Sequence, residues 1–453
     1  KWVDGFNQAG NAKWWTVVAP GSSIYSSIVY DDHYVNSSEQ HPLGSAGYAS
    51  FGGTSMAAPH VTGAMGVLMS RYQDMSAVQV RDVLFTTANH KNADGSNFTG
   101  WTAEEGQVDE IYGWGAPDLD KGMYGLGQFL GHFDYNMATT SLDVWSNDIS
   151  QVALDQRRVE DEAWMTLTEN GTKLDAEEYE LGSDPIPDVD DATIDQADAE
   201  KWRAEYYAKR AESIQNKLDN GLYDGSLTKR GQGTLVMTGN NTYRGGTTVE
   251  EGMLLGFNDS FGVTGEDSTA TANGLVTVNG GIFGVINSYD DQFTMKGLIE
   301  DTASDHSVDV NVGANGTYAI IAGQDNTVGN LTFEEGAGYT VVSLDSDVLV
   351  DAYNGITAKG SVTADNIKGL EGAVAKPDYA FFDTTLAVDG NTLTAYLSRN
   401  EEAPMSYAAS DSERAVAAAM MGATDSASFA SMVDSTKAQM KSTLASLGSD
   451  LHL

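Results

Sequence analysis

One string stands out for its chemistry: Gly53-Thr54-Ser55-Met56-Ala57-Ala58-Pro59-His60. Ser55 stands where a glycine-rich loop meets the start of a helical pattern. There a hydroxyl is exposed to solvent and close to free backbone N–H groups and the positive end of the helix dipole. Gly52 and Gly53 allow close approach to another backbone, and Ala57 and Ala58 are small enough for deep packing. Pro59, four residues after Ser55, is expected to fall within the first turn. Such a serine suits nucleophilic attack when a base lies nearby, and without one it is the ordinary N-cap residue of a helix. His33 and His41 precede it closely in a polar stretch and are expected to face solvent, whereas His60 is expected to pack along the helix.

Other candidate groups carry less. Asp188, Asp190 and Asp191 sit in an acidic, proline-bearing stretch that could bind Ca²⁺ but lacks the glycine and distal glutamate of an EF-hand loop. A solvated loop is the simpler reading. No glycine run has the spacing of a phosphate or dinucleotide loop.

The elements that must position Ser55 follow from periodicity. Val17 to Gly21 reads as a short buried strand ending in a Pro-Gly turn. Met56–Tyr72 reads as a helix with Val61, Ala64, Met65, Leu68 and Met69 on one stripe, and Val78–Thr87 as a second with Val80, Val83 and Leu84 inward. Alternating strand and helix predicts an α/β layer structure. Further on, Thr193 and Gln196 suggest a capping box. A helix should follow, packed by Trp202, Tyr206, Ile214 and Leu218 and ending at Asn220-Gly221. Short alternating strands come next, among them Gly233–Gly239, Leu275–Gly280, Val308–Val312 and Leu331–Phe333. They recur at about 20–30 residues, as stacked coils do, although a sandwich has similar strand content. Helix returns after 404, with Ser410 and Glu413 as a capping box and Phe429, Met432, Val433, Met440, Leu444 and Leu447 as an apolar stripe.

Composition narrows the function classes. The chain has 453 residues, enough for about three domains. With 25 Lys+Arg against 65 Asp+Glu, the formal charge is −40, which argues against a nucleic-acid partner or an anionic membrane face. Cysteine is absent, so disulfides, thiolate metal sites and a cysteine nucleophile are excluded. Lys1 reads as a cut end, and the chain is expected to be a piece of a longer precursor.

The Ser55 string resembles the nucleophile segment of the subtilisin-like serine proteases. Ala19-Pro20-Gly21 upstream and Tyr112-Gly-Trp-Gly-Ala-Pro-Asp118 downstream resemble flanking segments of that family. The resemblance covers residues 1 to about 125 and implies Ser55 as nucleophile. The family's His-Gly-Thr-His string, its catalytic Asp context and its oxyanion-hole Asn have no counterpart here, so residues 1–453 alone are expected to show almost no peptidase activity. Gly125–Phe129, Phe133-Asp134 and Trp145–Ile149 resemble the joint between a subtilase domain and a type V autotransporter stalk. Gly231–Val249 resembles the autotransporter passenger repeat, and Leu444–His452 the last helix before an outer-membrane barrel.

These resemblances imply a multidomain chain. Residues 1–132 would be part of an α/β subtilisin-like domain, and 133–226 a linker with an acidic helical insertion. Residues 227–403 would be a right-handed parallel β-helix stalk, and 404–453 a helical segment preceding a barrel. They imply a serine endopeptidase at the surface of a Gram-negative bacterium, or secreted from it. Its partners would be protein or peptide substrates, its own C-terminal outer-membrane barrel and the outer-membrane insertion machinery. No cofactor is needed for the chemistry, though the family often carries structural calcium. The rival expectation is a non-catalytic surface adhesin or scaffold with a remnant protease domain.

Overall fold

The computed structural model describes residues 7–30, 44–172, 196–264, 273–301, 307–376, 378–422 and 432–450. The chain divides into two compact units, Lys1–Gly131 with Ser150–Gly225, and His132–Ile149 with Ser226–Leu453.

The first unit contains an antiparallel hairpin of β1 (Ile24–Val29) and β2 (Ala46–Phe51), in register Ile24 to Phe51. Two helices follow, α1 (Thr54–Arg71) and α2 (Ala77–Thr86). Ser76 caps α2 through a capping box with Gln79, and Val80, Val83 and Leu84 are buried as their spacing predicts. On α1 the expected stripe is only half realised: Ala64 and Leu68 are buried, Val61 and Met65 half-buried, and Met69 exposed. The Val17–Gly21 run is not a buried strand. It is half-buried apart from exposed Pro20, and its backbone is held by Val18 N–H to the Gly115 carbonyl (2.8 Å), by Gly53 N–H to the Gly21 carbonyl (2.7 Å) and, just ahead of it, by Trp114 N–H to the Thr16 carbonyl (2.9 Å).

A helical hairpin completes this unit, α3 (Val152–Leu167) and α4 (Gln196–Asp219). The α4 helix was legible, but of its expected packing stripe only Ile214 is buried. Trp202 is 49% exposed and Tyr206 and Leu218 are also exposed, while Tyr207, Ala211 and Ile214 pack on Trp164 of α3. The buried face is shifted round the helix because α3 covers it. Thr193, like the acidic residues Asp188, Asp190 and Asp191, lies outside the described residues.

In the second unit the chain passes back and forth between two sheets. The first pair of strands is β3 (His132–Asn136) and β4 (Leu142–Trp145), ahead of the helical hairpin in sequence. After it come β5 (Ser226–Arg230), β6 (Thr234–Met237), β7 (Thr247–Val249), β8 (Met253–Gly256), β9 (Gly274–Val278) and β10 (Ile282–Val285). An antiparallel hairpin, β11 (Ser288–Asp291) and β12 (Gly297–Glu300), is extruded here. The series resumes with β13 (Val308–Val312), β14 (Thr317–Ala322), β15 (Asp325–Phe333) and β16 (Gly338–Ser343). After helix α5 (Ser346–Tyr353) come β17 (Ala358–Lys368) and β18 (Val374–Ala375).

Among the described residues, one sheet is ordered β3-β5-β7-β9-β13-β15-β17 and the other β4-β6-β8-β10-β14-β16-β18, with parallel neighbours. Two antiparallel strands, β19 (Phe382–Asp389) and β20 (Thr392–Arg399), close the first sheet by pairing on β17.

The register explains the core. Phe133, Leu227, Thr247, Val276, Val310, Leu331 and Ile367 form one aligned column, buried up to Leu331 and half-buried at Ile367. The first interval, Phe133 to Leu227, takes 94 residues because α3 and α4 lie within it in sequence; from Leu227 onward coils take from 20 residues (Leu227 to Thr247) to 36 (Leu331 to Ile367). The long coils are those that extrude the β11–β12 hairpin or α5. On the other sheet Val144, Val236, Leu255, Ala319 and Ile321 build an apolar cluster that Tyr289 and Ile299 of the extruded hairpin help to cover.

Helices α6 (Asp411–Gly422) and α7 (Lys437–Asp450) end the chain, with Val433, Met440 and Leu444 buried and Leu447 exposed. Ser410 Oγ accepts the Glu413 N–H (3.2 Å), while the Glu413 carboxylate takes the Ala409 N–H (2.7 Å). Phe429 lies outside the described residues.

Candidate active site

Ser55 is the second residue of α1, and its side chain is exposed, with no hydrogen-bond partner for the hydroxyl among the described residues. The β1–β2 hairpin delivers it: β2 ends at Phe51, and Gly52-Gly53 turns the chain into the helix. Gly53 is the N-cap residue at φ 145°, a conformation that suits glycine and strains other residues. Its N–H donates to the Gly21 carbonyl at 2.7 Å. A Cβ on Gly21 would stand 2.8 Å from the Gly53 carbonyl oxygen and 3.3 Å from Ala57 Cβ, so the Pro-Gly turn and the nucleophile loop meet without spare space. These contacts give the Ala19-Pro20-Gly21 segment a physical role, as the wall that fixes the loop before Ser55.

Pro59 is the sixth residue of α1 and lies beyond the first turn, contrary to expectation. The helix begins at Thr54, and Pro59 has no N–H to offer the Ser55 carbonyl four residues back. His60 is exposed, not packed, and its Nδ1–H donates to the Met56 carbonyl (2.8 Å). His90, the other described histidine of this unit, stacks on Trp101 (4.4 Å) with Nε2 3.3 Å from Glu105. Burial pushes its pKa down, with the Glu105 charge pulling the other way. His33 and His41 lie outside the described residues.

A cavity of ≈ 890 Å³ adjoins the loop, lined by Val17 to Ser22, Gly53, Thr54, Ala57, Phe98 and Tyr112 among others; Ser55 itself is not in its lining. The lining segment around Tyr112 is stiffened by Asp109, which is 1% exposed. Its carboxylate accepts N–H bonds from Thr102 (2.9 Å), Ile111 (2.8 Å), Tyr112 (3.0 Å) and Ala103 (3.3 Å). Burial opposes the charge, but these bonds outweigh it and hold the carboxyl below its usual range.

Comparison with known proteins now bears on the site. Residues 4–115 match the subtilase family, and Ser55 falls inside the match. Residues 227–255, spanning β5 to β8, match the passenger-associated transport repeat, so one chain carries a match to each of these two families. An extracellular serine protease of Serratia marcescens is 27% identical over 91% of this chain and 36% of its own length. The serotype-specific antigen 1 of Mannheimia haemolytica is 33% identical over 32% of this chain and 13% of its length. The Neisserial autotransporter lipoprotein NalP of Neisseria meningitidis is 25% identical over 76% of this chain and 23% of its length. The chain thus spans about a third of the Serratia protein and less of the others.

Three groups that hold the first unit together are not legible in the sequence: Lys13, Asp109 and Glu160. Their partners lie in loops or far along the chain, where periodicity carries no signal. Among the described residues no group of three or more carboxylates or imidazoles converges to hold a metal ion.

Proposed function

We propose that this chain is part of a subtilisin-like serine endopeptidase carried as an autotransporter passenger, with Ser55 as its nucleophile. The observation that carries the reading is the placement of Ser55: an exposed hydroxyl on the first turn of a helix, behind a glycine turn clamped to Gly21. The imidazole base, its orienting carboxylate and the oxyanion asparagine come from parts of the protein outside residues 1–453.

In that reaction the Ser55 Oγ attacks the peptide carbonyl carbon while its proton passes to the imidazole. The tetrahedral oxyanion is held by hydrogen-bond donors, and the imidazolium returns the proton to the departing amine. Water then hydrolyses the acyl-serine ester by the same route reversed. No cofactor enters these steps, and any calcium is structural.

The alternating parallel sheets support a right-handed β-helix stalk, joined in the complete protein to an outer-membrane barrel placed by the insertion machinery. Substrates are proteins or peptides outside the cell, at the surface or around it. The test is a fluorophosphonate probe on the complete protein. Covalent labelling of Ser55, lost in Ser55→Ala, supports the reading. An unlabelled Ser55, under conditions where a control subtilase reacts, overturns it in favour of a non-catalytic scaffold or adhesin.

A further inference from the structure

We infer that the α3–α4 hairpin is a positioning device for the nucleophile loop, and that Lys13 and Glu160 are the residues through which it acts. The inference rests on Ser55 being the nucleophile. The hairpin follows the segment that matches the subtilase family, yet one face of α3 grips that segment at several points.

Lys13 is 6% exposed, and its ammonium donates to Glu110 (2.6 Å) and to Glu160 of α3 (2.7 Å). Burial alone would lower its pKa, but the two carboxylates raise it on balance, so the group stays charged. Glu160 also accepts the Trp14 indole N–H (3.3 Å), and the Arg157 guanidinium lies 5.1 Å from the centre of the Trp14 ring. One turn earlier, Gln156 accepts the Val108 N–H (2.7 Å) and donates to the Val108 carbonyl (2.9 Å). A single helical face thus holds both the segment around Lys13 and the segment around Val108.

From Lys13 the path to Ser55 is short. The chain runs to Thr16 and Val18, fixed by Trp114 and Gly115, and then to Gly21, whose carbonyl takes the Gly53 N–H. The contact at Gly21 has no spare space. A displacement of residues 13–14 therefore reaches Gly53, two residues before the nucleophile. Lys13 is the buried member of this cluster, whereas Glu110 is exposed and Glu160 about one-third exposed, so loss of Glu160 leaves a buried ammonium with one exposed carboxylate and the junction would rearrange around it. Serine chemistry is sensitive to shifts of this kind, since about 1 Å of misplacement costs on the order of 10²-fold in rate.

The experiment compares the complete wild-type protein with Glu160→Gln, Lys13→Met and Lys13→Arg. It reads the fluorophosphonate labelling rate at Ser55, the kcat and KM for a peptide ester, and amide hydrogen exchange in residues 51–57. Glu160→Gln preserves volume and gives the result if Lys13→Met fails to fold. The expected outcome is a labelling rate and kcat lowered about 10- to 100-fold with KM unchanged. Exchange should be faster at 51–57 and unchanged in the strands β9 to β15, with partial rescue by Lys13→Arg. Wild-type labelling in both Glu160→Gln and Lys13→Met overturns the inference, and so does lost labelling with no change in exchange at 51–57. If wild-type Ser55 does not label, yet exchange at 51–57 responds to Glu160→Gln, the coupling stands and the nucleophile assignment falls.

Discussion

Lys13 meets Glu160 across 147 positions of sequence, and Asp161 meets Lys217 across 56. Val276, Val310 and Leu331, by contrast, pair only with the coils before and after their own. The first unit is tied by a few buried charges, each with several partners. Asp161 is fully buried and is met by Arg157 (2.9 Å), Lys217 (3.1 Å) and the Tyr223 hydroxyl (2.8 Å). The second unit repeats one apolar contact from coil to coil, an arrangement in which stability adds up locally. The difference teaches where each region is vulnerable. A unit held by ion clusters fails when one charge is stranded, and a stack of coils fails when its column is hollowed.

The largest effect should fall on chemistry with no effect on either scaffold. Ser55→Ala in the complete protein is expected to lower peptide hydrolysis by at least about 10³-fold with Tm unchanged, measured by peptide turnover and calorimetry. Next comes Asp161→Ala, which strands Arg157 and Lys217 and is expected to cost the first unit about 3–5 kcal/mol in urea unfolding. Leu331→Ala should cost the second unit about 2–5 kcal/mol through a cavity in the column, leaving hydrogen exchange in the first unit unchanged. If the two substitutions each destabilise both units equally, the contrast drawn above is wrong.

Much of this was open to inspection in the residues themselves. The Ser55 string, the helical period of α1 and α2, and the alternation in β9 and β13 each depend on neighbours within one element. The failures have a common cause, which is that distant partners choose the face or the pairing. Tyr207, Ala211 and Ile214 became the buried face of α4 because Trp164 lies opposite, although Trp202 and Tyr206 have the same spacing and a larger apolar area. Strands β3 and β4 join sheets whose next members follow only after the helical hairpin, and no local period announces that return. Lys13 looks like a surface lysine until Glu110 and Glu160 are brought to it.

Titration sharpens the comparison with smaller effects at opposite ends of the pH scale. Asp109 and Asp161 have carboxyls held below the usual range, so the folded state binds fewer protons than the unfolded chain as those groups titrate. Their contribution to the first unit is complete above the ordinary carboxylate pKa of about 4 and is lost as pH falls through their folded values. In the second unit Lys229 is buried, donating to the carbonyls of Arg230 (2.9 Å), Gly231 (2.8 Å) and Glu251 (3.1 Å), and burial lowers its pKa to about 8. The folded state then binds fewer protons between about 8 and the unfolded value near 10.4, so the second unit should gain stability as pH rises through that window. Urea unfolding of Lys229→Met, followed by exchange in β5 to β8, should lack this rise. The smallest change is expected for Val67→Ala on the exposed side of α1, within about 0.5 kcal/mol by thermal unfolding.

The aligned column keeps its register although the intervals along it differ by more than a dozen residues. Surplus length leaves the stack at its corners, as in β11–β12 and α5, and the next strand resumes its place. Such corners are natural grafting points. A foreign peptide spliced between Gln292 and Lys296, where Phe293 and Met295 already face solvent, would be carried outward while the strands on either side kept their partners. Lineages could diversify their displayed surface there by insertion and deletion while the rungs beneath stayed the same.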